Sequence, residues 1–343
     1  MRAVLILNPV SGDREPNTAK LSQIQTYLAR GAFVVDIVCT APERPAAQIA
    51  REAVASGGEF VVVGGGDGTV SEVARELLGK RATLGILPIG TFNNIARSLG
   101  ILADLPAACG AITAGHTRAI DVGVANDEHV FFEAAGAGLD ATLFPIGEEI
   151  KGGRWMRIVQ AAALTLQFRM QTFEMTFDRP VREALARGAH RRLSTRVLAG
   201  RTLRRRALLV VAANGPYYGS GFTVAPGARL SDGLLTVSVY RNFSKWELVR
   251  HFRSIARGKY HYSPKLETYT AAEVRLVSPA PIPVHVDGHP LGHTPVRLRA
   301  LPGALRVFAP RQPMQIEDAD PPVALPVPKS GTSEPARVPV HHG

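Results

Sequence analysis

Residues 61–73 read VVVGGGDGTVSEV: an apolar run, three consecutive glycines, an acid, then a helical pattern. Glycines lack a Cβ, so their backbone N–H groups can approach an anion closely and their φ can turn positive. A helix starting there aims free N–H groups and the positive end of its dipole at the same turn. Thr69 and Glu72 have capping-box spacing, so the helix is expected to begin near Thr69. The chemistry these residue types suit is phosphate binding, the alternative being a tight turn with no ligand. The loop is no dinucleotide fingerprint, because the third glycine of G-x-G-x-x-G is missing, and no G-K-[ST] occurs in the chain. Asp67 is then a puzzle: an acid inside a cradle for a polyanion.

Two further turns have the same character. In LGILPIGTFNNIARSLG, Pro88, Gly90 and Thr91 lead from a strand into a helix beginning near Thr91 or Asn93 and closed by Gly100. In LNPVSGD, Asn8, Ser11 and Gly12 leave the first strand. Strand C-terminal ends of an open parallel sheet face one side, so the three loops can share one crevice. Three such loops on one edge imply a nucleotide.

The elements that must hold these loops follow from periodicity. AVLILNP, FVVDIVCT, FVVVGGG and TLGILPIG read as strands, alternating with helices such as TAKLSQIQTYLARG and AAQIAREAVASGG. Near-continuous apolar strands between helices predict an α/β, doubly wound parallel sheet over residues 1–117. From Arg118 the texture changes to short runs: AIDVGVAN, HVFFEAAG, FEMTF, ALLVVAANG, LLTVSVY, AEVRLVS, PVHVDG, PVRLRA and ALRVFA. Their spacing predicts an antiparallel β-sandwich over 118–310. Two helices interrupt it. GRWMRIVQAAALTLQF places Trp155, Ile158, Val159, Ala162 and Leu166 on one face. SKWELVRHFRSIARG starts with a Ser244–Glu247 capping box and closes at Gly258. The proline-rich residues 311–343 read as a disordered tail.

Composition bounds the partners. No apolar run reaches the roughly 20 residues that span a bilayer, and MRAVLILNPVSG reads as a first strand, not a signal peptide. Cys39 and Cys109 offer neither a disulfide framework nor metal spacing, which fits a reducing cytosol. The net charge of +11 favours anionic partners and is concentrated between Arg179 and Arg206. That segment is either a solvated insertion or a patch that docks on an anionic membrane, where each basic residue contributes roughly 1 kcal/mol. Nucleic acid is disfavoured, since the segment lacks interleaved aromatics for base stacking.

GGGDGT, followed by P-x-G-T-x-N and preceded by N-P-x-S-G, resembles the diacylglycerol kinase catalytic domain family, which includes the bacterial soluble lipid kinases and the sphingosine and ceramide kinases. The likeness continues through EAAGAGLDA, NGPYYGSG, PGARLSDGLLTV and VDGHPLGHTPV, covering residues 1 to about 310. GGGDGT alone also fits NAD kinases and the phosphofructokinase-like group. The resemblance implies an NAD kinase-like α/β domain and a sandwich domain with ATP in the cleft between them. Nucleotide contacts fall by likeness on Asn8, Ser11, Gly12, Thr40, Gly65, Gly66, Asp67, Gly68, Thr69, Val70, Ser71, Glu72 and Thr91. A structural Mg²⁺ maps to the D-G-x-L turn, on Asp232 with the carbonyls of Leu230 and Leu234.

The family's D-G-E motif supplies the catalytic base, and here it reads Asp287, Gly288, His289. If the glutamate is the base, His289 must replace it; if the aspartate is, Asp287 survives intact, and that is the favoured reading. Asn94 stands where many members have Asp, and Glu133 where many have Asn. In this setting Asp67 would hold a Mg²⁺ that bridges phosphates, the alternative being bonds to N–H groups of its own turn. His285, His289 and His293 share a four-residue spacing, but Pro283, Gly288 and Pro290 exclude the helix that would align them for zinc. The implied activity is transfer of the γ-phosphate of ATP to a hydroxyl of diacylglycerol or a related lipid, by a cytosolic protein docking reversibly on membranes. The rivals are an NAD kinase-like phosphotransferase and a non-catalytic lipid- or nucleotide-binding member. Oligomeric state, homodimer included, is not legible.

Overall fold

A computed structural model describes residues 1–12, 18–31, 33–151, 157–178, 182–187, 192–197, 201–255 and 265–311. The first part alternates strand and helix: β1 (Arg2–Leu7), α1 (Thr18–Ala29), β2 (Val34–Cys39), α2 (Ala46–Ala55), β3 (Phe60–Gly65), α3 (Asp67–Leu77), β4 (Thr83–Pro88), α4 (Asn94–Ser98) and α5 (Leu105–Thr113). β1 pairs in parallel with β2 and β3, and β3 with β4. β3 and β4 are buried along almost their whole length, whereas the edge strand β2 is exposed or half-buried throughout. Cover on both faces produces that contrast: α1 packs with α5 and α2 with α3, forming two helical layers. Asp104 caps α5 by accepting from the Ala107 N–H.

The second part is built mainly of strands: β5 (Thr117–Ala125), β6 (His129–Phe131), β7 (Ala134–Gly138), α6 (Leu139–Lys151), α7 (Arg157–Gln167), β8 (Gln171–Phe177), β9 (Arg182–Arg187), β10 (Arg192–Val197), β11 (Thr202–Ala213), β12 (Tyr217–Tyr218), β13 (Phe222–Thr223), β14 (Leu235–Arg241), α8 (Lys245–Ile255), β15 (Leu266–Ala271), β16 (Glu273–Val277), β17 (Pro283–Val286), β18 (His289–His293) and β19 (Val296–Phe308). Antiparallel pairing links β7, β8 and β14 to β11, and β17 to β7. β8 alternates buried and exposed residues, as a strand with one solvated face must. Its inward residues Phe173, Met175 and Phe177 join Val237, Tyr269 and Leu298 in the sandwich core. The architecture is a doubly wound parallel α/β sheet joined to an antiparallel β-sandwich. β19 joins the two: it pairs antiparallel with β16 and β5, and its far end lies parallel to β4.

The structure departs from the sequence reading at several places. Residues 139–151 form a helix although Pro145 and Gly147 argue against one. HVFFEAAG is two strands broken at Phe132–Glu133, while PVRLRA and ALRVFA are one strand with an irregularity between Leu301 and Leu305. Within Arg179–Arg206, the segments Arg182–Arg187 and Arg192–Val197 are paired strands, and Arg182–Ala184 pairs onward with β15. Leu166 is 63% exposed, so it does not lie on a buried helix face. Ser244 and Glu247 do form the expected capping box. Trp155, Gly258 and residues 312–343 lie outside the described residues. No described helix is long and apolar enough to cross a membrane.

Candidate active site

The glycine turn delivers α3 two residues earlier than its capping pattern suggests. The helix starts at Asp67, with Gly66 as an N-cap that offers no side chain. Thr69 is not a cap: its Oγ1 accepts from Asn8 Nδ2 at 3.0 Å, tying the loop after β1 to the first turn of α3. Thr69, Val70 and Ser71 are buried inside this turn, while Gly68 and Glu72 are exposed at its mouth.

Close packing then locks the three loops together. A Cβ on Gly90 would lie 2.3 Å from Gly66 Cα, and one on Gly12 would lie 2.2 Å from the Ile89 carbonyl oxygen. The expected nucleotide residues of all three loops therefore meet on one sheet edge, and Thr40, just beyond β2, donates its N–H to the Leu7 carbonyl beside them. Asn93 shapes the third loop. Its φ of 51° is left-handed, its Oδ1 accepts from Gly90 N, and its Nδ2 donates to the Gly90 carbonyl. Thr91 is exposed on this loop.

Asp67 does not bond only within its own turn. Its Oδ1 accepts from Ile95 N at 3.0 Å, so it joins the start of α3 to that of α4. α4 in turn docks on the sandwich. Asn94 Nδ2 donates to Glu133 Oε2 at 2.9 Å and to the Gly219 carbonyl at 2.8 Å, and the Arg97 guanidinium lies 4.0 Å from the Tyr217 ring centroid. Gly219 N adds a second hydrogen bond to Glu133 Oε2.

Asp287 and Gly288 form the two-residue turn between β17 and β18, with φ values of 46° and 82°. Asp-Gly is the pair best suited to a tight hairpin with two positive φ angles. The Asp287 carboxylate reaches across to the break between β6 and β7. Oδ2 accepts from Phe132 N at 2.7 Å, and Oδ1 from Glu133 N and Ala134 N at 2.9 and 3.0 Å. The Asp287 carboxylate therefore braces the break between β6 and β7. His289, the other candidate, is exposed, and its side chain makes no hydrogen bond among the described residues. His285 is fully buried under the hairpin, whereas His293 is exposed. Gly288 N donates to His285 Nδ1, so the neutral ring carries its proton on Nε2, which faces Tyr218 Oη at 2.6 Å and Asp140 Oδ2 at 3.2 Å.

Asp67, Glu133 and Asp287 thus form an acidic group where the nucleotide loops meet the sandwich. Burial raises the Asp67 carboxyl, opposed by N–H groups of α4 and by Arg97. Burial and then the charges of Asp67 and Asp287 hold Glu133 well above the ordinary carboxylate range. Burial also raises Asp287, but its three N–H donors favour the ionised form. Apart from its place before the G-x-G turn, nothing in the sequence context of Glu133 marks it, since its neighbours in space come from distant segments.

The turn at Asp232 lies at the junction of the two parts. Asp232 Oδ1 accepts from Leu234 N, while buried Asp121 accepts from Gly233 N and Gly303 N and donates its own N–H to the Leu230 carbonyl. Burial and the neighbouring Asp121 raise the Asp232 carboxyl. Asp121 has both oxygens engaged, so Asp232 and nearby backbone carbonyls are the oxygen donors this turn could offer a hard divalent cation.

Comparison with known proteins agrees with this geometry. The profile described as "Diacylglycerol kinase catalytic domain" matches residues 2–125, and "YegS C-terminal NAD kinase beta sandwich-like domain" matches 158–309. A diacylglycerol kinase of Mycobacterium tuberculosis is 29% identical over 317 residues, 90% of this chain and 96% of that protein. A probable lipid kinase YegS of Salmonella dublin is 28% identical over 314 residues, 90% of this chain and 96% of that protein. The crystal structure of a diacylglycerol kinase from Bacillus anthracis superposes with a TM-score of 0.69 at 24% identity, over 91% of this chain and 98% of that one, a likeness of fold. With its glycine-rich loops, its acidic junction and these two stretches matched in this order, the chain carries a diacylglycerol kinase catalytic domain followed by a YegS-type β-sandwich domain and is a kinase.

Proposed function

We propose that this protein transfers the γ-phosphate of ATP to a hydroxyl of diacylglycerol or a related lipid, working in the cytoplasm at an anionic membrane surface. One observation carries the reading: the start of α3, the start of α4 and the Asp287 hairpin converge through Asp67, Asn94 and Glu133. The loops after β1, β3 and β4 supply backbone N–H groups for the triphosphate, and the acids lie where an acceptor hydroxyl would approach from the sandwich. Such a site works mainly by positioning and by electrostatics, as phosphoryl transfer requires. Mg²⁺, when bound, would neutralise charge on the phosphates; Asp67 is the residue that would hold it there, and Asp232 with the Leu230 and Leu234 carbonyls would hold a structural ion. The basic segment Arg179–Arg206 and the 81%-exposed Trp246 on α8, with exposed Arg250 beside it, support docking on anionic lipid.

Purified protein incubated with labelled ATP, Mg²⁺ and a panel of lipids should place label in the organic phase. Label appearing only in the aqueous phase with NAD as acceptor would favour the NAD kinase-like reading. ATP binding without turnover on any acceptor would favour a non-catalytic member.

The cation site gives a separate expectation. An ion that binds only the folded state at about 100 times its Kd stabilises by about 2.7 kcal/mol. Millimolar Mg²⁺ should therefore raise the Tm of the wild type by roughly 5 °C, and Asp232→Asn should abolish the rise. An equal rise in both proteins would place the ion elsewhere.

A further inference from the structure

Positions 94 and 133 are where the sequence carries an amide and an acid against the pattern it resembles, and in the structure the two side chains touch at 2.9 Å. From this contact we infer that Glu133, at the break between β6 and β7, is the proton acceptor for the attacking lipid hydroxyl. The inference rests on the lipid kinase reading above and names the residue that serves it.

The hydrogen bonds fix the orientation of both side chains. Asn94 uses Nδ2 for Glu133 Oε2 and for the Gly219 carbonyl, and turning the amide over would set its oxygen against two acceptors. The arrangement holds although Asn94 Oδ1 is left buried without a donor. Buried polar atoms without partners are rare, so the donor face of Asn94 is what the position preserves. An aspartate there would press a carboxylate against Glu133 beside Asp67 and Asp287; one acid at this contact is tolerated, and two would repel.

Glu133 is also aimed for the task. Both of its donors, Asn94 Nδ2 and Gly219 N, bind Oε2, and Oε1 takes no hydrogen bond among the described residues. The other acids are less available, since Asp287 has both oxygens engaged and Asp67 is bound to Ile95 N. The titratable and charged groups acting on this trio are Asp67 and Asp287 on Glu133, Arg97 on Asp67, Arg75 on Asp287, and Tyr218, which feels Glu133 from the sandwich. Burial and like charges make Glu133 more basic than an ordinary carboxylate, which suits a proton acceptor working near neutral pH.

The step balances. The hydroxyl proton passes to Glu133 Oε1 as the hydroxyl oxygen forms its bond to the γ-phosphorus. The bond from that phosphorus to the bridging oxygen of ADP breaks, ADP leaves with the electron pair, and the glutamic acid then releases its proton to water.

The test compares wild type and Glu133→Gln on the lipid the wild type uses. Glu133→Gln keeps a side-chain oxygen for Asn94 Nδ2 and Gly219 N, so the fold should hold. Loss of a positioned base costs about 10²–10⁴-fold. Glu133→Gln should lower kcat by at least about 100-fold, with ATP affinity unchanged and Tm unchanged or raised, since a buried charge beside two others is removed. A Glu133→Gln enzyme within about threefold of wild type overturns the assignment. So does a loss of kcat accompanied by loss of ATP binding or of Tm, which would make Glu133 structural. Wild type inactive on every lipid overturns the lipid kinase reading itself, an outcome distinct from the others because it shows before any substitution is made.

Discussion

Gly90→Ala should weaken ATP binding by about 100-fold and lower Tm by roughly 2–9 °C, although it adds one methyl group. The new carbon would fall 2.3 Å from Gly66 Cα and 3.0 Å from Gly66 N, and both are backbone atoms that cannot rotate aside. Gly66 is the N-cap of α3, and Gly90 N holds Asn93 Oδ1, so separating the loops displaces the phosphate turn and the start of α4 together. Overpacking of this kind typically costs about 1–3 kcal/mol. A displacement of about 1 Å in a positioned site costs about 10²-fold, which sets the expected loss of affinity. Gly110→Ala is the control. Gly110 lies inside α5 with nothing within 4 Å of an added Cβ, so its replacement should stabilise by about 0.5–1 kcal/mol. Calorimetric titration with an ATP analogue and thermal melts read both effects. If Gly90→Ala binds nucleotide as tightly as wild type, the loops are not locked together at this point.

The parallel sheet and its glycine loops were legible because local pattern and tertiary role agree there. β3 and β4 are buried on both faces and so read as unbroken apolar runs, and the turn that packs against Gly90 is written in glycine. The Ser244–Glu247 cap was legible for the same reason, since donor and acceptor lie three residues apart. Local reading failed where a distant partner decides. Thr69 and Glu72 have the spacing of a cap, but Asn8 claims the threonine hydroxyl from 61 residues away. HVFFEAAG looks like one strand because nothing nearby shows that Asp287, 154 residues on, binds the N–H of Glu133 and interrupts it. α6 was hidden by Pro145 and Gly147, whose low helix propensity is overridden by its packing against β7 and β17. The acidic group was the least legible feature. Asp67, Glu133 and Asp287 come from three segments, brought together by the pairing of β17 with β7 and by the docking of α4 on the sandwich.

Substitutions of Asp287 should rank in stability as wild type, then Asn, then Gly, then Ala, a series set by two separate demands of the position. One demand is conformational. At φ 46° a residue with a Cβ is strained, by roughly 1–2 kcal/mol for Ala, whereas Asn tolerates this region and Gly is free in it. The other is hydrogen bonding, because three N–H groups of Phe132–Ala134 depend on this carboxylate, and each one left without an acceptor costs about 1–3 kcal/mol. Asparagine keeps one oxygen for the Glu133 and Ala134 N–H groups but turns an amide donor toward Phe132 N. It should therefore lose about 2–3 kcal/mol, or roughly 4–9 °C in Tm. Glycine satisfies the dihedral and loses every acceptor. Alanine fails both tests and should lose about 5 kcal/mol or more. Because the brace sets the backbone of Glu133, kcat should fall along the same series as Tm, with Asp287→Asn retaining more activity than Glu133→Gln. A proton acceptor would behave otherwise: Asp287→Asn would keep the wild-type Tm while kcat collapsed by about 10³-fold or more, toward the upper range for a lost base. That result would return the chemistry to Asp287 and reduce Glu133 to its neighbour.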